Sequence, residues 1–124
     1  MTAAASPNNT RAFVRRLLND QKVAKQLIRE WFVSNGARDE CLNALSGELA
    51  RAYAAGEVPF DLANSSMSEL MNLREWKAPP AFWELFVAFE DLEISEDPGL
   101  EGLAHVATAL ERFRSQVGQG GSDA

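Results

Sequence analysis

Apolar residues recur at spacings of three and four along almost the whole chain, and the strict alternation that marks half-buried strands is scarce. The pattern predicts helix throughout. Starting at Thr10, a candidate N-cap, the residues Phe13, Leu17, Ala24, Leu27 and Trp31 trace one stripe toward Ser34, where Asn35-Gly36 supplies stopping residues. Asp20 would fall in the middle of that stripe, where an unpaired carboxylate is costly. Asn19 and Asp20 are also poor helix formers and good caps, so a short helix over 11–18 followed by a second over 21–33 competes with one continuous helix.

A second stripe, Cys41, Leu42, Leu45, Leu49, Ala52 and Tyr53, predicts a helix from Asp39 to Ala55, slightly weakened by Gly47 and ended by Gly56. Asp61 or Ser65 can cap the next helix, which carries Leu62, Ala63, Met67, Leu70 and Met71. Lys77 to Pro80 is a boundary, and Pro80 suits the first turn of a helix because its missing N–H would have no partner there. In that helix Phe82, Leu85, Phe86, Phe89 and Leu92 share one side, which marks it as the expected central core helix. Asp97-Pro98 repeats the start signal before a last stripe of Leu100, Leu103, Ala107, Leu110 and Phe113. The expected fold class is all-α: a single compact bundle of five or six short amphipathic helices over residues 10–116, with disordered tails at 1–9 and 117–124.

Composition agrees with one ordinary domain, at 124 residues, 46% hydrophobic and 24% charged. No signal-peptide pattern opens the chain and no stretch reaches the roughly 18–20 apolar residues of a membrane span, so a cytoplasmic location without membrane contact is expected. Counting removes several chemistries. With Cys41 and His105 each the sole residue of its type, neither an intrachain disulfide nor a zinc site of several thiolates or imidazoles can form. His105 reads as a structural histidine packed at the bundle edge, and Cys41, on an apolar face, as a small hydrophobe. The glycines form no phosphate-binding loop, and Ser65, Ser66 and Ser68 have no base near them in sequence. No catalytic residue, metal site or cofactor is expected.

The segment FWELFVAFEDLEISED is apolar and aromatic in its first half and rich in carboxylates in its second. Its Glu90, Asp91, Glu93, Glu96 and Asp97 lack the alternation and the glycine of a calcium loop. They read instead either as a solvated acidic edge or as a candidate partner-binding surface. Charge is divided unevenly along the chain: residues 1–38 hold seven basic and two acidic side chains, net +5, while 39–124 hold five and sixteen, net −11, giving −6 in all. On one continuous helix Arg11, Arg15, Lys22, Lys25 and Arg29 would lie within about 80° of one another. That secondary basic face could contact phosphates, but the rest of the protein is acidic and no aromatic side chain interleaves with the basic ones.

In the order of its elements, the stretch from AAGEVPFDLA through FWELFVAFEDLEISEDP to LAHVATALERF, residues 54–113, resembles the small helical immunity proteins that protect bacteria from colicin-like toxins. The resemblance implies an acidic helical protein that occludes the basic active site of a nuclease toxin. Three functional expectations follow. The first is a non-enzymatic interaction module, immunity- or antitoxin-like, whose partner is a protein with a basic surface or a second copy of itself. The second is a small-molecule-binding or enzymatic bundle with an apolar pocket lined by its Trp and Phe residues. The third, disfavoured by overall charge, is a nucleic-acid-associated regulator using the basic first helix.

Overall fold

The computed structural model describes residues 7–35, 38–93 and 99–122, with side chains over 9–35, 38–93 and 99–117. These residues fold as six α-helices joined by short connections: α1 (Pro7–Asn19), a 3-10 turn (Gln21–Val23), α2 (Ala24–Ser34), α3 (Asp39–Ala54), α4 (Phe60–Leu73), α5 (Pro80–Glu93) and α6 (Gly99–Ser122). The all-α bundle expected from the apolar spacing is therefore the fold. No helix among the described residues is long and apolar enough to cross a membrane.

The first stripe is broken where Asp20 would have entered it. Asp20 lies exposed between α1 and the 3-10 turn, so its carboxylate is never taken into the core. Thr10 is not the cap that its residue type suggested: α1 begins at Pro7, the first-turn position proline favours, and Thr10 is buried inside the helix. Asp61 and Ser65 do not cap α4 either, because the N-cap is Pro59. Asp61 instead places its charge in the first turn, where the helix dipole favours it. Ser65 Oγ donates within α4 to the Leu62 carbonyl at 3.3 Å.

Two helices end in the same way. After α3, the Gly56 N–H donates to the Tyr53 carbonyl at 2.9 Å and the Glu57 N–H to the Ala52 carbonyl at 2.8 Å, with Gly56 left-handed at φ +78°. After α4, the Glu75 N–H donates to Asn72 and the Trp76 N–H to Met71, both at 3.0 Å. Both are Schellman closures, which need a left-handed residue after the C-cap. Glycine fills that position in the first, while the second uses Glu75 at φ 53° and keeps Trp76 left-handed as well, at φ 66°. The left-handed pair turns the chain so that Trp76 meets α5.

The hub of the bundle is α3, which packs on α1, α4, α5 and α6, rather than the phenylalanine-rich α5 expected there. Leu42, Leu45 and Leu49 of α3 are completely buried, as are Leu70 and Met71 of α4 and Phe82, Leu85 and Phe89 of α5. Each such side chain contributes about 1.5–3 kcal/mol by leaving water. Along α6 the buried set is Gly102, Val106, Ala109, Leu110 and Phe113, whereas Leu100 and Ala107, assigned to the stripe from spacing, are exposed. Both sets repeat at helical spacing and share Leu110 and Phe113, so periodicity alone did not separate them. Through this face α6 packs against α3 and α5. The backbone of α6 also continues to Ser122, through part of the segment read as a tail from residue 117.

Candidate functional site

The described carboxylates divide by what faces them. Glu48, its side chain 10% exposed, accepts two hydrogen bonds from Arg51, at 2.9 Å from Nε and at 2.7 Å from the terminal nitrogen, and lies 3.7 Å from Arg11 Nε. Arg51 also reaches Glu57 at 2.9 Å. Arg29 meets the buried Glu69 at 2.7 Å, Arg74 meets Asp39 at 2.6 Å, and Arg112 meets Glu84 at 3.0 Å. These pairs tie α1 and α4 to α3, α2 to α4, and α5 to α6. The hydrogen bonds that Arg51 donates to Glu48 and then to Glu57 raise its pKa above the ordinary value, and Arg51 in turn lowers that of Glu57.

The C-terminal end of α5 is different. Glu90, Asp91 and Glu93 crowd there, all exposed, and none of them forms an ion pair with a lysine or arginine among the described residues. Partial desolvation, followed by the charges of Glu93 and Asp91 and a hydrogen bond shared with Glu93, raises the Glu90 pKa. Among the described residues the basic group at ion-pair distance is His105, whose Nε2 is 3.3 Å from Asp91 Oδ2 without hydrogen-bond alignment. Glu96 and Asp97 lie outside the described residues. Sequence therefore pointed to a crowded carboxylate surface, of which three members are brought together here.

The secondary basic face is divided among three elements. Arg11 and Arg15 belong to α1, Lys22 to the 3-10 turn, and Lys25 and Arg29 to α2. Arg11 and Arg29 are engaged with Glu48 and Glu69, and Arg15 lies near enough to Glu57 to help lower its pKa. The single continuous helix on which the five would have lined up is therefore broken.

Two features escaped the sequence. The first is an aromatic cluster on the outer side of α5: Trp76, 54% exposed, lies 6.1 Å from Trp83 and 5.4 Å from Phe86 between ring centroids, and Trp83 lies 5.7 Å from Phe86. The second is a groove of about 850 Å³ between α3 and α6, walled by Ala44, Pro79, Leu110, Phe113 and Val117, with Asn43, Glu48, Arg51 and Arg114 among its polar residues. Gly47 forms part of its floor because a Cβ there would stand 2.8 Å from Phe113 Cε2. None of the three tryptophans lines the groove, so it is not the Trp-lined pocket expected from composition. Signals for both features were present but local: Gly47 inside a good helical pattern, and an aromatic residue beside a Pro-Pro boundary.

Cys41 is buried, with its thiol 3.7 Å from the Asn35 carbonyl. Among the described residues no group of three His, Cys, Asp or Glu side chains is arranged to hold a metal ion. No protein-family model, curated protein or solved structure matches the chain significantly.

Proposed function

We propose that the protein is a non-enzymatic interaction module that binds a basic protein partner through the acidic end of α5. The observation that carries this reading is the crowding of its carboxylates. Asp20, Glu30, Asp61, Glu75, Glu101 and Glu111 also have no arginine or lysine within ion-pair distance among the described residues, but Glu90, Asp91 and Glu93 stand together at one helix end, close enough for Glu93 and Asp91 to raise the Glu90 pKa, with His105 beside them. Like charges held this close repel, and a partner's lysines or arginines would relieve that repulsion on binding while steering the encounter. Neutralisation of a basic toxin is one form of such an activity.

The test compares wild type with Glu90→Lys/Glu93→Lys and with a control, Asp61→Lys, that reverses an exposed carboxylate on α4. A partner captured at about 0.05 M salt should be basic, should be released by about 0.3 M salt, and should be lost with the α5 variant alone. Equal capture by all three proteins would refute the assignment.

The α3–α6 groove favours a second reading, a binding site for a small apolar ligand, since its volume and largely apolar wall suit one. An apolar naphthalene-sulfonate dye should be taken up by the native protein and excluded by Ala44→Phe, which fills the groove from α3. Absence of uptake by the wild type would remove this reading.

A further inference from the structure

Resting on the acidic-surface reading, the geometry points to a specific kind of partner element: a basic amphipathic helix that lays its apolar side along the outer face of α5. At about 100° per residue, Trp83, Val87 and Glu90 fall within about 60° of one another, with Asp91 and Glu93 flanking them. Val87 is 48% exposed, an apolar residue on the solvent side of a helix whose opposite side is the core. Trp76 extends this strip at its N-terminal end, held there by its packing on Trp83 and Phe86 and by the left-handed turn at Glu75 and Trp76. The surface is thus a ridge, apolar at Trp76, Trp83 and Val87 and anionic at Glu90, Asp91 and Glu93. From Trp83 to Glu93 it runs about 15 Å, the rise of ten helical residues or nearly three turns.

Charge and shape together select the occupant. An anionic membrane surface or a nucleic acid would be repelled by the three carboxylates, which have no lysine or arginine paired to them among the described residues. A purely polar basic segment would satisfy the carboxylates and leave the tryptophans and Val87 in water. A helix with apolar residues at i, i+3 or i+4, and i+7 meets the apolar strip, and lysines or arginines on its flank reach the carboxylates. Arginine or lysine heads can also stack on the exposed indole of Trp76. The tryptophans are the energetic anchors and the carboxylates set orientation and approach rate.

Two synthetic 14-residue peptides of equal charge distinguish this inference from the reading beneath it. One carries leucines on one face and lysines on the flanks, and the other has glutamine in place of every leucine, keeping helix propensity comparable. Titrated into the protein, the leucine peptide should bind at least about tenfold more tightly and shift the emission of Trp76 and Trp83 to the blue, while the buried Trp31 stays constant as background. Val87→Ser, an exposed change that leaves the core intact, should remove most of that preference, and Trp76→Ser should do the same. Equal binding of the two peptides would overturn the apolar ridge and leave the electrostatic reading standing. No binding of either would overturn both. A leucine preference that survives Val87→Ser and Trp76→Ser would place the peptide elsewhere, the α3–α6 groove included, and would also overturn the inference.

Discussion

Replacing Glu75 with glycine should make the protein more stable, although it removes a side chain and adds flexibility. Glu75 occupies the left-handed position of the Schellman closure after α4, at φ 53°. An L-residue with a Cβ pays about 1–2 kcal/mol to sit there, and glycine pays almost nothing. Glycine costs about 0.5–1 kcal/mol through the extra freedom it gives the unfolded chain. Removing a carboxylate from a helix C-terminus returns a further 0.3–1 kcal/mol or so, since the dipole disfavours anions there. The balance is a gain of about 1 kcal/mol, or roughly 3–5 °C in Tm for a domain of this size.

The closure after α3 supplies the reverse experiment. Gly56 holds the equivalent position at φ +78°, and nothing lies within 4 Å of where a Cβ would be built, so Gly56→Ala tests backbone strain without a clash. It should cost about 1 kcal/mol. Urea unfolding followed by far-UV circular dichroism measures both midpoints, with unchanged slopes confirming that the comparison is between stabilities. Destabilisation by Glu75→Gly, or no effect of Gly56→Ala, would refute the reasoning and show that the turn after α4 is held by something other than its backbone pattern.

Glu48→Gln keeps the shape of the side chain but removes the charge that two arginines face; allowing for the partial exposure of Arg51 and Arg11, it should cost about 1–2 kcal/mol in the same urea assay. Glu90→Gln should act in the opposite sense at neutral pH. Because the folded pKa of Glu90 is raised, its ionised form opposes folding above that pKa, and protonation relieves the penalty as pH falls. The stability gain of Glu90→Gln should therefore be present at pH 7, shrink as pH drops through the raised value, and vanish below the ordinary glutamate value of about 4.3. A gain that persisted at pH 3 would show that ionisation of Glu90, disfavoured by desolvation and then by its acidic neighbours, is not its origin. Phe82→Ala, at a completely buried ring of α5, should cost about 3–5 kcal/mol by thermal or urea unfolding.

The helices were legible because each repeats apolar residues over three or more turns, and the break near Asp20 was legible because one charged residue contradicted an otherwise regular stripe. Rotation of α6 about its axis was not. Leu100 and Ala107 satisfy the spacing as well as Val106 and Ala109 do, and only the positions of α3 and α5 decide which set is covered. The groove was hidden for a similar reason. Gly47 read as a mild helix weakness, but its meaning is the ring of Phe113, 66 residues later in the chain, which would stand 2.8 Å from any Cβ placed there. Trp76 was hidden because left-handed conformation at two consecutive non-glycine residues contradicts local preference, and it is this turn that brings the ring against Trp83 and Phe86.

The same comparison explains the two halves of FWELFVAFEDLEISED. In its first half the core takes Phe82, Leu85, Phe86 and Phe89, but a helix of period 3.6 that is apolar on more than one side must leave some of that surface outward, and Trp83 and Val87 are what remains. In its second half, carboxylates at a helix C-terminus are opposed by the dipole as well as by one another. Local stability would be better served by lysine at positions 90 and 93. The protein contains the means to neutralise acids, since Arg11, Arg29 and Arg112 reach Glu48, Glu69 and Glu84 from neighbouring helices. Among the described residues Glu90, Asp91 and Glu93 have no arginine or lysine paired to them and lie directly beyond an exposed apolar strip, and the proposed partner would bring both cation and apolar surface to that place. If so, charge-neutral substitutions at Glu90 and Glu93 should raise stability and lower affinity for the basic leucine peptide together; raised stability with unchanged affinity would break that link.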